Sequence, residues 1–105
     1  MSILIDMQRK GPQLFPSDQR RLKDLGERFR LARLRRKFSM EMVATRAGIS
    51  RTSLYKVERG DPAVTLGVYL RVLAVYGLSE EVDQIAADDT LGRRLQDLAL
   101  LPERS

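Results

Sequence analysis

The sequence predicts an all-α fold, and two recurring patterns carry that prediction. Apolar residues return at the three- and four-residue spacing of a helix along most of the 105 residues. Serine or threonine stands where several of these stretches begin and glycine where they end, which is the usual placing of helix caps. We expect a five-helix fold with a short extended N-terminal arm at residues 1–18, a helical domain at 19–78 and a helical tail at 79–105.

The predicted arm precedes the first helix. The β-branched Ile3 and Ile5 favour an extended strand at the start of the arm, and a proline-containing linker follows it. The helical pattern begins at Asp18, and one apolar stripe then runs along a helix of about five turns. Its members are Leu22, Leu25, Phe29 and Ala32.

Two short helices follow, and each has its own start signal. Ser39 is the predicted N-cap of the second helix and Ser50 that of the third, because a serine side chain accepts from the amides of the first turn. Gly48 stands where a chain leaving a helix often needs positive φ, and residues 60–62 close the third helix. The predicted buried positions are Met40, Val43, Ala44, Ala47, Leu54 and Val57.

Residues 64–78 are the most apolar stretch, with Arg71 as the only charge. This stretch is long for a strand, and Thr65 and Gly77 lie where helix caps are expected. We predict a helix that is apolar nearly all round and must be covered on more than one side. A further short helix is predicted at residues 79–87. The last amphipathic stripe consists of Leu91, Leu95 and Leu98.

The charge of the chain is divided between its two halves. Residues 9–59 carry fifteen Lys and Arg against five Asp and Glu, a balance of +10, whereas residues 60–105 have a balance of −4. A basic segment followed by an acidic one indicates a module that binds a polyanion, and nucleic acid is the first candidate.

The composition excludes several kinds of site. The chain has no cysteine and no histidine, and therefore no Cys/His zinc site, thiol nucleophile or histidine-based triad. No other constellation of acid, base or metal ligands emerges, so we expect no enzyme activity, no cofactor and no metal. No segment is apolar over the length of a membrane span, and the absence of cysteine is consistent with a cytoplasmic protein.

Residues 40–59 have the spacing that a helix-turn-helix requires. Ala44 is small where two helices cross closely, Gly48 supplies the turn and Ile49 fills it. The apolar anchors of the two helices are Val43, Ala47, Leu54 and Val57. A plain three-helix bundle predicts the apolar stripes, but not a small residue and a glycine at these spacings.

Three segments of the chain resemble the phage-repressor-like (XRE) helix-turn-helix family. They are LGERFRLARLRRKFS at residues 25–39, VATRAGIS at 43–50 and LYKVERG at 54–60. The resemblance spans roughly residues 22–78 and includes the helix that the family places after its recognition helix. It implies a repressor-like all-α domain of about five helices that binds double-stranded DNA as a homodimer, with its third helix in the major groove.

The resemblance also assigns residues of the third helix to DNA binding. Ser50 lies at the start of this helix, and Arg51, Thr52 and Lys56 match base-reading positions. An arginine can bind guanine O6 and N7 bidentately, and Thr52 can meet a thymine methyl or a phosphate. The neighbours predicted to contact the DNA backbone are Ser53, Tyr55 and Arg59.

Three further positions are interpreted through the same resemblance. Arg33 and Glu58 match a pair that joins the first helix to the end of the recognition helix, so we expect a partly buried ion pair. Met40 replaces a glutamine that contacts phosphate, and that contact is lost or is replaced by Arg51 or by amides at the helix start. Lys37 replaces a glycine, where lysine either holds a strained φ or adds a phosphate contact.

The tail is similar to a second group of proteins. Residues 89–104, DTLGRRLQDLALLPER, resemble the C-terminal segment of HipB-like antitoxins, which are repressors encoded beside HipA-type toxin kinases. The alternative is a C-terminal helix that completes a dimer core. Two functions stay open. One is a transcriptional repressor on a palindromic operator, and the other is an antitoxin that neutralises a HipA-like toxin and regulates its own operon.

Overall fold

The computed structural model describes residues 11–103, and within that range every regular element of secondary structure is a helix. The α-helices are α1 (Pro16–Arg35), α2 (Met40–Ala47), α3 (Arg51–Arg59), α4 (Leu66–Tyr76) and α5 (Thr90–Glu103), with a 3₁₀ helix (Ser79–Gln84) between α4 and α5. The predicted all-α fold is confirmed. The apolar start of the predicted arm lies outside the described residues.

The predicted helix caps are present at α2, α3 and α4. The hydroxyl oxygens of Ser39, Ser50 and Thr65 accept hydrogen bonds from Met42 N, Ser53 N and Val68 N, respectively. Each of these helices ends at a glycine in the left-handed conformation. These caps satisfy backbone groups that a short helix otherwise leaves unpaired.

Two segments differ from the sequence prediction. Helix α1 begins at Pro16, ahead of Asp18, because a proline in the first turn has no amide that would be left unpaired there. The helix expected at residues 79–87 is a 3₁₀ helix that ends at Gln84. This segment has no side-chain cap at its start, and extended backbone at Ile85 followed by positive φ at Ala86 stops it.

Helices α1 to α4 share one apolar core. Its buried members are Phe29, Ala32, Val43, Ala44, Ala47, Leu54, Val57, Tyr69, Val72 and Tyr76. The edge of the Tyr69 ring meets Phe29 with the ring centroids 5.3 Å apart, in the geometry that aromatic pairs prefer. All four apolar anchors predicted for the helix-turn-helix are in this core. Helices α2 and α3 are therefore anchored through their buried sides.

Helix α1 crosses the end of α3 at backbone contact distance. A Cβ atom built on Gly26 would lie 2.6 Å from the carbonyl oxygen of Glu58 and 2.7 Å from that of Val57. A Cβ atom on Gly60 would collide with the carbonyl group of Leu22. Both glycines are therefore required by the approach of the two backbones, and Gly60 also needs its positive φ of 74°.

We predict that Gly26→Ala destabilises the protein, although alanine is the better helix former. The added methyl group has to push α1 away from two backbone carbonyls of α3, and overpacking of this kind costs about 1–3 kcal/mol. Gly67→Ala is the matched control, because a Cβ atom at that exposed position of α4 meets nothing closer than 3.9 Å. It should be neutral or stabilise by up to about 1 kcal/mol. Urea unfolding measures both free energies, and the same sign of change for the two variants would contradict the close packing.

Candidate nucleic-acid interface

Helix α3 has one buried side and one side exposed to solvent. Leu54 and Val57 are buried in the core, and Glu58 is partly buried against α1. The exposed residues are Arg51, Thr52, Tyr55, Lys56 and Arg59. At 100° per residue these five side chains share one face of the helix, so the structure brings together most of the predicted DNA-binding residues.

Ser50 and Ser53 are hydrogen-bonded to each other at the start of α3. The Ser50 hydroxyl accepts from the Ser53 amide and donates to the Ser53 hydroxyl, both at 3.0 Å. Their first role is to cap the helix, which fixes the direction in which Arg51 and Thr52 leave the turn. Any contact of these two hydroxyls with DNA stays a prediction.

Tyr55 and Arg59 form a stacked pair on the exposed face. The Arg59 guanidinium lies 5.2 Å from the centroid of the Tyr55 ring, within the range of a cation–π interaction. The ring is 53% exposed, so the pair is accessible from solvent. An arginine held in this way keeps its charge and most of its donors available for a phosphate.

A shallow cleft joins this face to the beginning of α1. Thr52, Tyr55, Lys56 and Arg59 line one side of the cleft, whose volume is about 880 Å³, and Lys23 lines the other side. Lys23 was not among the predicted DNA contacts. The only sequence signal for it is its place in the basic segment, which does not distinguish it from the other lysines and arginines there.

Lys37 and Met40 show how the chain departs from the resembling family. Lys37 is exposed at the end of α1 with φ 58°, so it holds the strained backbone that was one of the two expectations for this position. The Met40 side chain packs against the core. A methionine here therefore adds apolar contact in place of a contact with phosphate.

Arg33 and Glu58 form a bidentate ion pair between α1 and α3. Arg33 Nε lies 2.7 Å from Glu58 Oε2, and Arg33 Nη2 lies 3.1 Å from Glu58 Oε1. Only 12% of the arginine side chain and 7% of the glutamate side chain are exposed. Arg33 Nη1 also donates to the carbonyl oxygen of Phe38 at 3.2 Å. The hydrogen bond to Glu58 raises the pKa of Arg33 above its usual value, despite the opposing effect of burial.

Helix α4 supports this arrangement from a second side. Arg71, the only charged residue of α4, donates to the carbonyl oxygen of Ala47 at 2.9 Å and so caps the end of α2. Tyr76 lies beside the ion pair, and burial, reinforced by the Glu58 charge, raises its pKa to about 12. The Arg36 guanidinium covers the Tyr76 ring at 5.4 Å. Arg71 is the single charge in the sequence of this helix, but no local pattern predicts its contact with the end of α2.

Metal-binding groups and membrane-spanning helices are two further features that bear on function. Between residues 11 and 103 no group of acidic side chains is arranged to hold a metal ion. No helix in that range is both long and apolar enough to cross a bilayer.

The fold and the exposed face of α3 define a class of protein. Two short helices joined at a glycine turn, with the second helix presenting basic and polar side chains, form the helix-turn-helix of DNA-binding regulators. The family model described as helix-turn-helix domain matches residues 24–85, which is more than half of the chain. The chain belongs to this family, and the helix-turn-helix predicted at residues 40–59 is confirmed. No curated protein matches the chain significantly.

We predict that Arg33 and Glu58 are energetically coupled. Arg33→Met leaves a nearly buried carboxylate without its partner, and the cost is about 3 kcal/mol. The double variant Arg33→Met/Glu58→Met removes both charges and should cost less than the two single changes together, with a coupling of about 1–3 kcal/mol. Arg30→Met is the control, since its pair with Glu27 is about half exposed on both sides and contributes below about 1 kcal/mol. Additive losses in urea unfolding would show that the pair does not act as a unit.

Proposed function

We propose that this protein is a sequence-specific transcriptional repressor of the phage-repressor-like (XRE) kind, which binds an operator as a dimer. The observation that carries the proposal is the exposed face of α3, where three basic residues, a threonine and a tyrosine lie together on a helix anchored from behind. A helix in this setting fits the major groove of B-form DNA.

The residues of that face are assigned to two tasks, recognition of bases and positioning on the DNA backbone. Arg51 in the first turn of α3 can donate two hydrogen bonds to O6 and N7 of a guanine, and Thr52 and Lys56 lie within reach of neighbouring bases. The Tyr55–Arg59 pair and Lys37 are assigned to the DNA backbone, where contacts set orientation without reading sequence. Because regulation by occlusion needs only binding, we propose no enzyme activity and no cofactor.

A two-fold dimer fits the apolar residues that the core leaves exposed. On α4, Leu66 is 60% exposed and Leu70 is 39% exposed. Further leucines are exposed on α5, and we propose that α4 and the segments after it form the dimer contact. Such a dimer binds a pseudo-palindrome whose half-sites lie about 34 Å apart, one turn of DNA.

A HipB-like antitoxin is the alternative function. The exposed leucine stripe of α5 favours it, because a toxin bound there would cover apolar side chains that the chain itself leaves in water. Purification of the native complex distinguishes the two functions. A larger kinase-like protein that purifies with this chain would favour the antitoxin.

We predict a steep dependence of DNA binding on salt. If each protomer neutralises about four phosphates, log K for the dimer falls against log salt with a slope near −7. Fluorescence anisotropy with duplex DNA at several salt concentrations measures this slope. A slope near zero would mean that the basic segment serves another partner, and the proposed function would fall with it.

We predict that Arg51→Ala relaxes sequence preference at one base position of each half-site, at a cost of about 1–3 kcal/mol per contact. Selection of bound sites from random duplex DNA first supplies the operator, and binding to its single-base variants is then compared. Arg59→Ala is the control, since loss of a backbone contact should weaken binding to all sequences alike. Equal weakening on all sequences by Arg51→Ala would instead identify Arg51 as a phosphate contact.

A further inference from the structure

An apolar groove runs between α1 and α4 on a surface that the proposed DNA contacts do not use. Its volume is about 490 Å³. Leu22 and Leu25 of α1 form one wall, Leu66 and Leu73 of α4 form the other, and Val82 and Ile85 lie at its end. Leu66 and Ile85 are 60% and 64% exposed, so the groove presents a substantial apolar surface to water.

Helix α5 carries an apolar stripe of matching length. Leu91, Leu95 and Leu98 are 66%, 56% and 62% exposed, although their spacing places them on one side of the helix. Leu91 and Leu98 are separated by seven residues, or about 10 Å along a helix axis. Leu66 and Leu73 in the groove have the same separation, so the three leucines of α5 can lie along the wall of the groove.

The first turn of α5 forms hydrogen bonds with the residues just before it. Ala86 has φ 59°, and Asp89 Oδ1 accepts from the Gly92 amide at 2.9 Å as the N-cap of α5. The Arg93 guanidinium donates to the Ala87 carbonyl at 3.3 Å and lies 3.4 Å from Asp88 Oδ1. The radius of gyration is 17.9 Å, whereas a compact chain of this length has about 13 Å. Helix α5 therefore projects from the core, and its three leucines stay exposed to water.

We propose that the α1–α4 groove of one protomer receives α5 of a second copy of this chain, with the exchange reciprocal across the two-fold axis. The proposal rests on the proposed dimeric function and names the surface that forms the dimer. One chain supplies both the groove and the helix with an unpartnered stripe, which is the arrangement that a self-complementary two-fold interface requires.

The charges of the two surfaces and the reciprocity of the exchange support a second copy as the occupant. The charged residues that line the groove are Arg28, Arg35 and Glu81, a balance of +1, whereas residues 86–103 carry four acidic residues against two arginines, a balance of −2. The incoming segment thus has a net negative charge where the groove has a net positive one. A stable interface buries about 800 Å² on each partner. A reciprocal exchange forms two helix–groove contacts. Each protomer therefore buries surface on its α5 and also in its groove.

Cysteine cross-linking tests the arrangement directly, because the natural chain has no cysteine. Leu95→Cys chains are mixed with Leu66→Cys chains, oxidised mildly, and analysed by mass spectrometry of the linked peptides. We expect a disulfide between positions 95 and 66, which can only join two chains. Leu34→Cys is the control, since Leu34 is 43% exposed on α1 but does not line the groove, and it should not link to position 95.

Two other cross-linking results would overturn the proposal. Links between two copies of position 95, without links to 66, would show that the α5 helices pair with each other. In the double variant Leu66→Cys/Leu95→Cys, a disulfide within one chain would show that α5 folds back onto its own groove. Absence of the 95–66 disulfide in a pure, folded sample would also reject the exchange. A different protein would then be the candidate partner of the α5 stripe.

Sedimentation of Leu95→Asp gives a second readout that does not depend on disulfide formation. A carboxylate in the middle of the stripe should raise the dimer Kd by about thirtyfold or more, whereas Leu34→Asp should leave it unchanged. An unaltered dimer with Leu95→Asp would reject the interface. Circular dichroism checks that both variants remain helical.

Failure of this interface can be told apart from failure of the proposed function. Normal, salt-dependent binding of operator DNA without any 95–66 link would reject only the helix exchange. A clear 95–66 link in a protein that binds no duplex DNA would reject the repressor and retain the interface. If both proposals hold, Leu95→Asp still binds an isolated half-site with the wild-type affinity but binds the full operator more weakly.

Discussion

The direct contact between the backbones of α1 and the end of α3 is the constraint on which the rest of the structure depends. Gly26 and Gly60 permit it, because a side chain at either position would collide with the opposite backbone. The Arg33–Glu58 pair then links the same two helices through two hydrogen bonds. A close approach sets the distance between the helices, and a bidentate, nearly buried ion pair also sets the rotation of α3 about its axis. The recognition helix is thus oriented before any nucleic acid is present.

That orientation decides which residues of α3 are available for chemistry. The apolar side of the helix is used in the core, and Glu58 is used by α1, so only one face remains for a ligand. The turn before it is equally constrained, because Arg71 of α4 holds the end of α2 and lies beneath Gly48. Preorganisation of this kind lowers the ordering cost of binding. Under the proposed function, less of the contact energy is then spent on ordering α3 when it meets DNA.

Features of the fold that depend on neighbouring residues could be predicted from the sequence, whereas features that depend on distant residues could not. The caps at Ser39, Ser50 and Thr65 follow from local rules and are confirmed. The predicted buried positions of α2 and α3 are confirmed too, except that Met40 is only partly buried. Gly26 had no predicted role, because its reason is the backbone of a helix more than thirty residues further along the chain. Lys23 was missed on the exposed side for a similar reason, since only folding brings it to the cleft beside α3. The 3₁₀ helix is shorter than the helix predicted at residues 79–87. The prediction used the apolar and acidic pattern of this segment, which does not show that a capping side chain is missing.

The division of the chain into a basic and an acidic half has a physical consequence for its proposed work. The exposed face of α3 lies within the basic residues 9–59, whereas α4 and α5, which carry five of the seven exposed leucines among the described residues, lie within the acidic residues 60–105. Under the proposed function, the exposed face of α3 meets a polyanion, whereas the leucines of α5 meet an apolar surface. Salt therefore weakens the first association strongly and the second little. Under the proposed function, the dimer persists at ionic strengths that release it from DNA.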